Sequence, residues 1–164
     1  MKKILFLIII FISPSVGADE GYPEFVSNFG GNYNGYPKLP EQYYNLVVQK
    51  CYKYFKNDVP SYPCLENTIA QMSVENTNYI HNLKSYTGDY GLAQINLYWN
   101  PQVSYNQAID PDFAIDFLIY KMGTLGSQNR DFQTALCQYN TGSRYSYCTY
   151  SNKVLARRKV IFGF

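Results

Sequence analysis

The chain has 164 residues, of which 46% are hydrophobic, 18% aromatic and 16% charged. That composition excludes wholesale disorder and is enough for one domain with a real core. Formal net charge is +2, and two of the 14 basic residues lie in an N-terminal leader, which leaves 12 basic against 12 acidic residues beyond it; no basic footprint for a nucleic-acid partner results.

Met1, Lys2 and Lys3 precede an unbroken apolar run of nine residues, Ile4 to Ile12. Ser13, Pro14 and Ser15 break the run, and Val16-Gly17-Ala18 supplies small residues at its end. The pattern predicts a secretory signal cleaved after Ala18. The run is too short to span a bilayer and no later run is long enough, so no transmembrane segment is expected in the mature chain. The mature protein is expected in the periplasm or outside the cell. Residues 19–40 are rich in Gly, Pro, Asn and Tyr and read as an extended N-terminal segment. The folded domain is expected over 41–164.

From Glu41 the pattern turns helical, with Val47, Cys51 and Tyr54 or Phe55 recurring on one face until Pro60 and Pro63 end the unit. A second helix is expected from Leu65 to about Tyr79. Leu65, Ile69, Met72 and Asn76 share its buried stripe, and Glu75 lies at the border between core and surface. Residues 81–105 hold Gly88, Gly91, Asn96 and Pro101 and suggest loops with a short hairpin. Asp110-Pro111 reads as an N-cap and first-turn proline opening a helix through about Leu125. Asp131 caps another, in which Phe132, Ala135, Leu136 and Tyr139 share a face. Ser151 to Phe162 reads as a final amphipathic helix. It is basic, and no acidic residue follows Asp131, which suits a solvated face or an anionic surface. The predicted class is mainly α with a small irregular lobe or hairpin.

Export would place Cys51, Cys64, Cys137 and Cys148 in an oxidising compartment. Three pairings are open; neighbour pairing, Cys51 with Cys64 and Cys137 with Cys148, closes short loops and is favoured. The spacings match no zinc pattern and the lone His81 brings no second ligand. No metal or other cofactor is expected, and His81 is assigned to a loop or the surface. The 18 tyrosines, 10 phenylalanines and one tryptophan suit stacking on sugars, or simple use as amphipathic surface residues.

Glu75 is followed by Ser85-Tyr-Thr-Gly88-Asp-Tyr-Gly91-Leu92-Ala-Gln94, and much later by Tyr139-Asn140-Thr-Gly142. This order resembles the lytic transglycosylases of the lysozyme-like superfamily, those with an SLT-type domain. It is most similar to the small exported ones that accompany secretion, pilus or conjugation machines and some phages. Their pattern is a Glu near a helix C-terminus, then S-x-x-G-x-x-G-L-x-Q, then Y-N-x-G. The resemblance covers about residues 50–145. One departure is Asn76, where the family usually has Ser; Asn can still donate and accept hydrogen bonds.

The resemblance implies a lysozyme-like fold and cleavage of the β-1,4 bond between N-acetylmuramic acid and N-acetylglucosamine in peptidoglycan. A single Glu75 would act as acid and then base, giving a 1,6-anhydro product without water. Ser85, Gln94 and Tyr139 would bind substrate, with Asn76, Asn140 and Asp89 as accessory candidates. Glycan strands are the implied partner, together with an envelope-spanning secretion or conjugation machine. Glycosidic cleavage needs a proton donor near neutrality, which a carboxyl becomes when burial raises its pKa. Each residue also has a plainer structural role open to it: Glu75 on a surface, Gln94 bracing the lobe, Tyr139 in the core, Gly91 and Asp89 in turns. Asp89 keeps a hydrolytic muramidase open, since such enzymes use a second carboxylate. A non-catalytic peptidoglycan-binding protein is the third reading.

Overall fold

The computed structural model describes residues 35–55, 64–129, 131–144 and 147–163. The expected signal, most of the N-terminal segment, and Pro60 and Pro63 lie outside these residues. Six helices and one two-stranded hairpin make up the described fold: α1 Glu41–Phe55, α2 Cys64–Glu75, β1 Asp89–Tyr90, β2 Ile95–Asn96, α3 Tyr105–Ile109, α4 Pro111–Asn129, α5 Phe132–Thr141 and α6 Thr149–Phe162. The protein is mainly helical with a small antiparallel lobe, as the sequence predicts.

The helix α1 starts where the Pro40 carbonyl accepts the amides of Tyr43 and Tyr44, at 2.9 and 3.0 Å. It buries Tyr43 and Val47 one turn apart. Lys50 and Lys53 pair with Asp112 and Asp116 of α4 at 2.8 and 2.9 Å. The central helix is α2, with every residue from Asn67 to Ser73 buried. Met72 and Ile69 of α2 meet Ile115, Leu118, Ile119 and Met122 of α4, Leu136 of α5 and Val154 of α6 in one apolar cluster. Leu92 and Ile95 of the hairpin enter the same cluster, so the lobe is packed onto the helical core. Cys51 is bridged to Cys64 and Cys137 to Cys148, the favoured pairing, each with Cα atoms 5.7 Å apart. Among the described residues no helix is long and apolar enough to cross a membrane.

Several boundaries differ from expectation, each for a local reason. The helix α2 stops at Glu75 instead of about Tyr79. The Asn76 side chain takes over backbone partners there, accepting from the Ile80 amide at 3.1 Å and donating to the Ile80 carbonyl at 2.6 Å. Such side-chain bonds compete with helix continuation, and Tyr79 then turns left-handed at φ 53°. The unforeseen α3 rests on a capping box in which Ser104 and Gln107 satisfy each other's backbone amides. The helix α4 continues through Gly123 to Asn129; a Cβ at Gly123 would meet the Phe55 ring at 2.8 Å, so this glycine makes room for α1. Its opening is as read, with the Phe113 amide bound by the Asp110 side chain at 2.8 Å. Asp131 caps α5 through the Thr134 amide at 2.7 Å.

The final helix begins at Thr149 with Cys148 as its cap, two residues earlier than read, which puts Tyr150 on its first turn. Nor is its basic face wholly solvated. Arg158 pairs with Glu66 at 2.7 Å, while Arg157 donates to the Ser73 carbonyl at 2.7 Å and covers the Tyr36 ring.

Candidate active site

Glu75 closes α2 at the point where the chain leaves for the hairpin. Its Oε1 accepts the Tyr150 hydroxyl proton from α6. By accessible area Glu75 is only half-buried, yet protein atoms crowd the carboxyl on almost every side. That crowding, rather than the residual opening, governs its solvation. Burial pushes its pKa up to about 7; the Tyr150 hydrogen bond opposes the rise and the negative charge of Asp89 adds to it. The carboxyl therefore keeps its proton to a pH well above the ordinary carboxylate range.

Two tyrosines, Tyr150 buried and Tyr139 partly buried, stand by this carboxyl. The rings of Tyr139 and Tyr150 stack at 6.4 Å between centroids with a 20° interplanar angle. Burial, reinforced by the charge of Glu75, holds both phenols well above their usual pKa, so they stay neutral donors. The Tyr139 hydroxyl donates a hydrogen bond to the Ala93 carbonyl at 2.9 Å and thereby pins the hairpin loop to α5.

The hairpin pairs Asp89 with Asn96 and Tyr90 with Ile95. Gly91, at its turn, has φ 77°, and a Cβ there would lie 2.0 Å from the Ala108 carbonyl oxygen. Only glycine lets the loop seat this closely on α3. The Gly91 carbonyl gathers two of the expected site residues. It accepts Gln94 Nε2 at 2.8 Å and Asn76 Nδ2 at 3.3 Å. Gln94 itself sits in the left-handed region at φ 45°, a strained setting for a residue with a side chain.

Asp89 has both carboxylate oxygens occupied. Ser85 Oγ donates at 2.8 Å and Thr87 Oγ1 also donates to Oδ2, while Asn96 Nδ2 donates to Oδ1 at 2.7 Å. Burial alone would raise its pKa, but these three donors outweigh burial and hold it below the usual carboxylate range. Asp89 is thus ionised and electrostatically coupled to Glu75.

The expected site residues divide as follows. Glu75, Asp89 and Tyr139 are coupled to one another. Ser85 braces Asp89, and Gln94 and Asn76 brace the hairpin through Gly91. Asn140 is exposed near the end of α5 and makes no side-chain hydrogen bond among the described residues. His81 is exposed, as expected.

Sequence reasoning missed Tyr150, which lies 75 positions from its Glu75 partner and belongs to no recognisable pattern. It also missed a polar line along α2. Asn67 and Gln71 precede Glu75 at helical spacing, and both are buried with no hydrogen-bond partner for their amide groups. Gln71 lies beside the Tyr150 hydroxyl without reaching hydrogen-bond geometry. The four-residue spacing of these three polar residues was the available signal. Among the described residues no group of His, Cys, Asp and Glu is placed to hold a metal ion. A crowded carboxyl with a raised pKa, coupled electrostatically to an ionised and fully hydrogen-bonded one, can act as a proton donor. No family model matches the chain, and searches of curated proteins and of solved structures also give no match.

Proposed function

We propose that this chain is an exported peptidoglycan lytic transglycosylase. A single observation carries the reading: Glu75 sits at the joint of helical core and hairpin, with its pKa pushed up to about 7 and a tyrosine hydroxyl on its oxygen. The motif resemblance described above supports it independently. The two disulfides fit an oxidising compartment.

The protonated Glu75 gives its proton to the bridging oxygen as the bond to the muramic acid C1 breaks. The resulting carboxylate is stabilised by the Tyr150 hydrogen bond. It then takes the proton from the 6-hydroxyl of the same muramic acid, whose oxygen bonds to C1. The products are a 1,6-anhydro end and a free 4-hydroxyl, and Glu75 ends protonated as it began. No water is consumed.

Asp89 favours a second reading, hydrolysis by a muramidase, because its charge is felt at Glu75 and paired carboxylates of unequal pKa are the mark of such enzymes. The full occupation of its oxygens by Ser85, Thr87 and Asn96 argues against its attack on a sugar. Digestion of purified sacculi followed by mass spectrometry of the fragments decides between them. Anhydro ends are expected; reducing ends, heavier by one water, would establish the hydrolase. Glu75→Gln is expected to release nothing, and an active variant would remove Glu75 from its role. Sacculi that bind the wild-type protein yet release no fragment would leave a wall-binding protein.

A further inference from the structure

We infer that Gln71 is a positioning residue for the cleavage: its side-chain amide holds the Tyr150 hydroxyl in the orientation that serves Glu75. The inference rests on the proposed activity and adds a residue that the motif resemblance does not contain. Gln71 stands four residues before Glu75 on α2, so the two side chains leave one face of the helix a turn apart. Tyr150, on the first turn of α6, donates to Glu75 Oε1. The Gln71 amide lies beside that hydroxyl, just outside hydrogen-bond geometry.

Folding alone gives no reason for an amide here. Gln71 is 1% exposed, and neither end of its side-chain amide has a hydrogen-bond partner. A buried amide in that state costs stability, and an apolar side chain of similar length would remove the cost. The core around α2 is filled with apolar side chains, Met72, Ile119, Leu136 and Val154 among them. Asn67, one turn further back, repeats the pattern with a buried, unpartnered amide. Two such amides in line with the acid form a polar track that packing does not call for.

The hydroxyl needs a holder. A phenol turns about its C–O bond, and it has one proton but can also accept. Tyr150 commits its proton to Glu75, which leaves its oxygen as an acceptor. Tyr139, stacked on Tyr150, cannot supply that second bond, since its own hydroxyl donates to the Ala93 carbonyl. The Gln71 amide has two N–H groups to give, and one of them on the phenol oxygen keeps the hydroxyl aimed at Glu75. The contact tightens as Glu75 ionises. The carboxylate draws the Tyr150 proton closer, and the more negative phenol oxygen draws the amide. Catalytic hydrogen bonds often close up only when charge develops. Gln71 therefore acts on the ionised state of Glu75 and leaves substrate affinity alone. Among the described residues, the titratable groups coupled to Glu75 are Tyr150 from α6, Tyr139 from α5 and Asp89 from the hairpin.

Gln71→Met keeps the length of the side chain and removes the amide. Glu75 is followed by carbon NMR on protein labelled at the glutamate carboxyl. The chain has five glutamates, and the Glu75 signal is the one missing from Glu75→Gln. In Gln71→Met the titration midpoint of Glu75 should rise by roughly half a pH unit, because the carboxylate is held less well. On sacculi kcat should fall about 10-fold with KM unchanged, while the thermal unfolding midpoint stays or rises. Tyr150→Phe isolates the route: with no hydroxyl to hold, adding Gln71→Met should move neither midpoint nor rate any further. An unshifted Glu75 or an undiminished kcat in Gln71→Met would overturn the inference. So would a full shift on the Tyr150→Phe background, or a Gln71→Met chain that fails to fold, which would make Gln71 structural. The two proposals fail separately. A wild-type protein that never cleaves, with a Glu75 midpoint that still responds to Gln71 through Tyr150, would remove the enzyme and leave the link. A cleaving wild type matched by Gln71→Met in midpoint and rate would do the reverse.

Discussion

Burial gives Glu75 an unusually high proton affinity for a carboxyl, with consequences readable in solution. The proton-donating form disappears as pH rises through about 7, so kcat/KM on sacculi is expected to decline above neutrality. Stability should follow the same group. The folded chain keeps a proton between the ordinary glutamate value of 4.5 and about 7, whereas the unfolded chain has lost it. Stability is therefore fullest below that window and declines as pH rises across it. Because the residue keeps some contact with solvent, the loss should be about 2 kcal/mol. Urea unfolding of wild type and Glu75→Gln at pH 4 and pH 8 measures it, and the variant should lack this dependence. Tyr150→Phe removes the hydrogen bond that opposes the rise, so the alkaline limb of the activity profile should move up by about one pH unit. On the proposed mechanism its activity at neutral pH should fall, because the carboxylate formed during cleavage would lose its donor. Glu75 was legible because a motif follows it at short range. Tyr150 was not, because contact across 75 positions leaves no trace in local spacing.

The hairpin and the two cysteine loops hold that residue in place. Gly91→Ala puts a methyl group against the Ala108 carbonyl in a left-handed backbone, and a loss of about 3 kcal/mol or more is expected. Gly88 has a similar φ of 85° but open space around it, so Gly88→Ala should cost only about 1 kcal/mol. Chemical denaturation of the pair separates steric from backbone effects. Removing the Cys137–Cys148 bridge with two serines should cost roughly 3 kcal/mol by freeing a short loop. It should also lower activity at temperatures where the variant remains folded, since Cys148 caps the helix that presents Tyr150. Calorimetry and sacculus digestion read the two effects. Cap chemistry made the openings of α4 and α5 legible at Asp110 and Asp131. The ends of α2 and α4 were not legible. The first depends on where the Asn76 side chain finds backbone partners, and the second lies beyond a glycine that makes room for the Phe55 ring.

At the largest scale, the described residues form a helical body with a small lobe packed onto it, and that much was visible in the alternation of helical periodicity with a glycine-rich stretch. The orientation of the lobe was not, because it is fixed by contacts between distant elements: Leu92 and Ile95 in the shared core, Tyr139 on Ala93, and Asn76 on both Ile80 and Gly91. Asn76→Ser is expected to speed hydrogen exchange at the Ile80 amide, which its side-chain oxygen now protects, and mass-spectrometric exchange over residues 77–92 would register the change. A shorter side chain cannot span both anchor points at once. The asparagine therefore welds the end of the helix that carries Glu75 to the hairpin. Acid and hairpin thus keep one fixed relation through an amide side chain that reaches both, and not through a hinge.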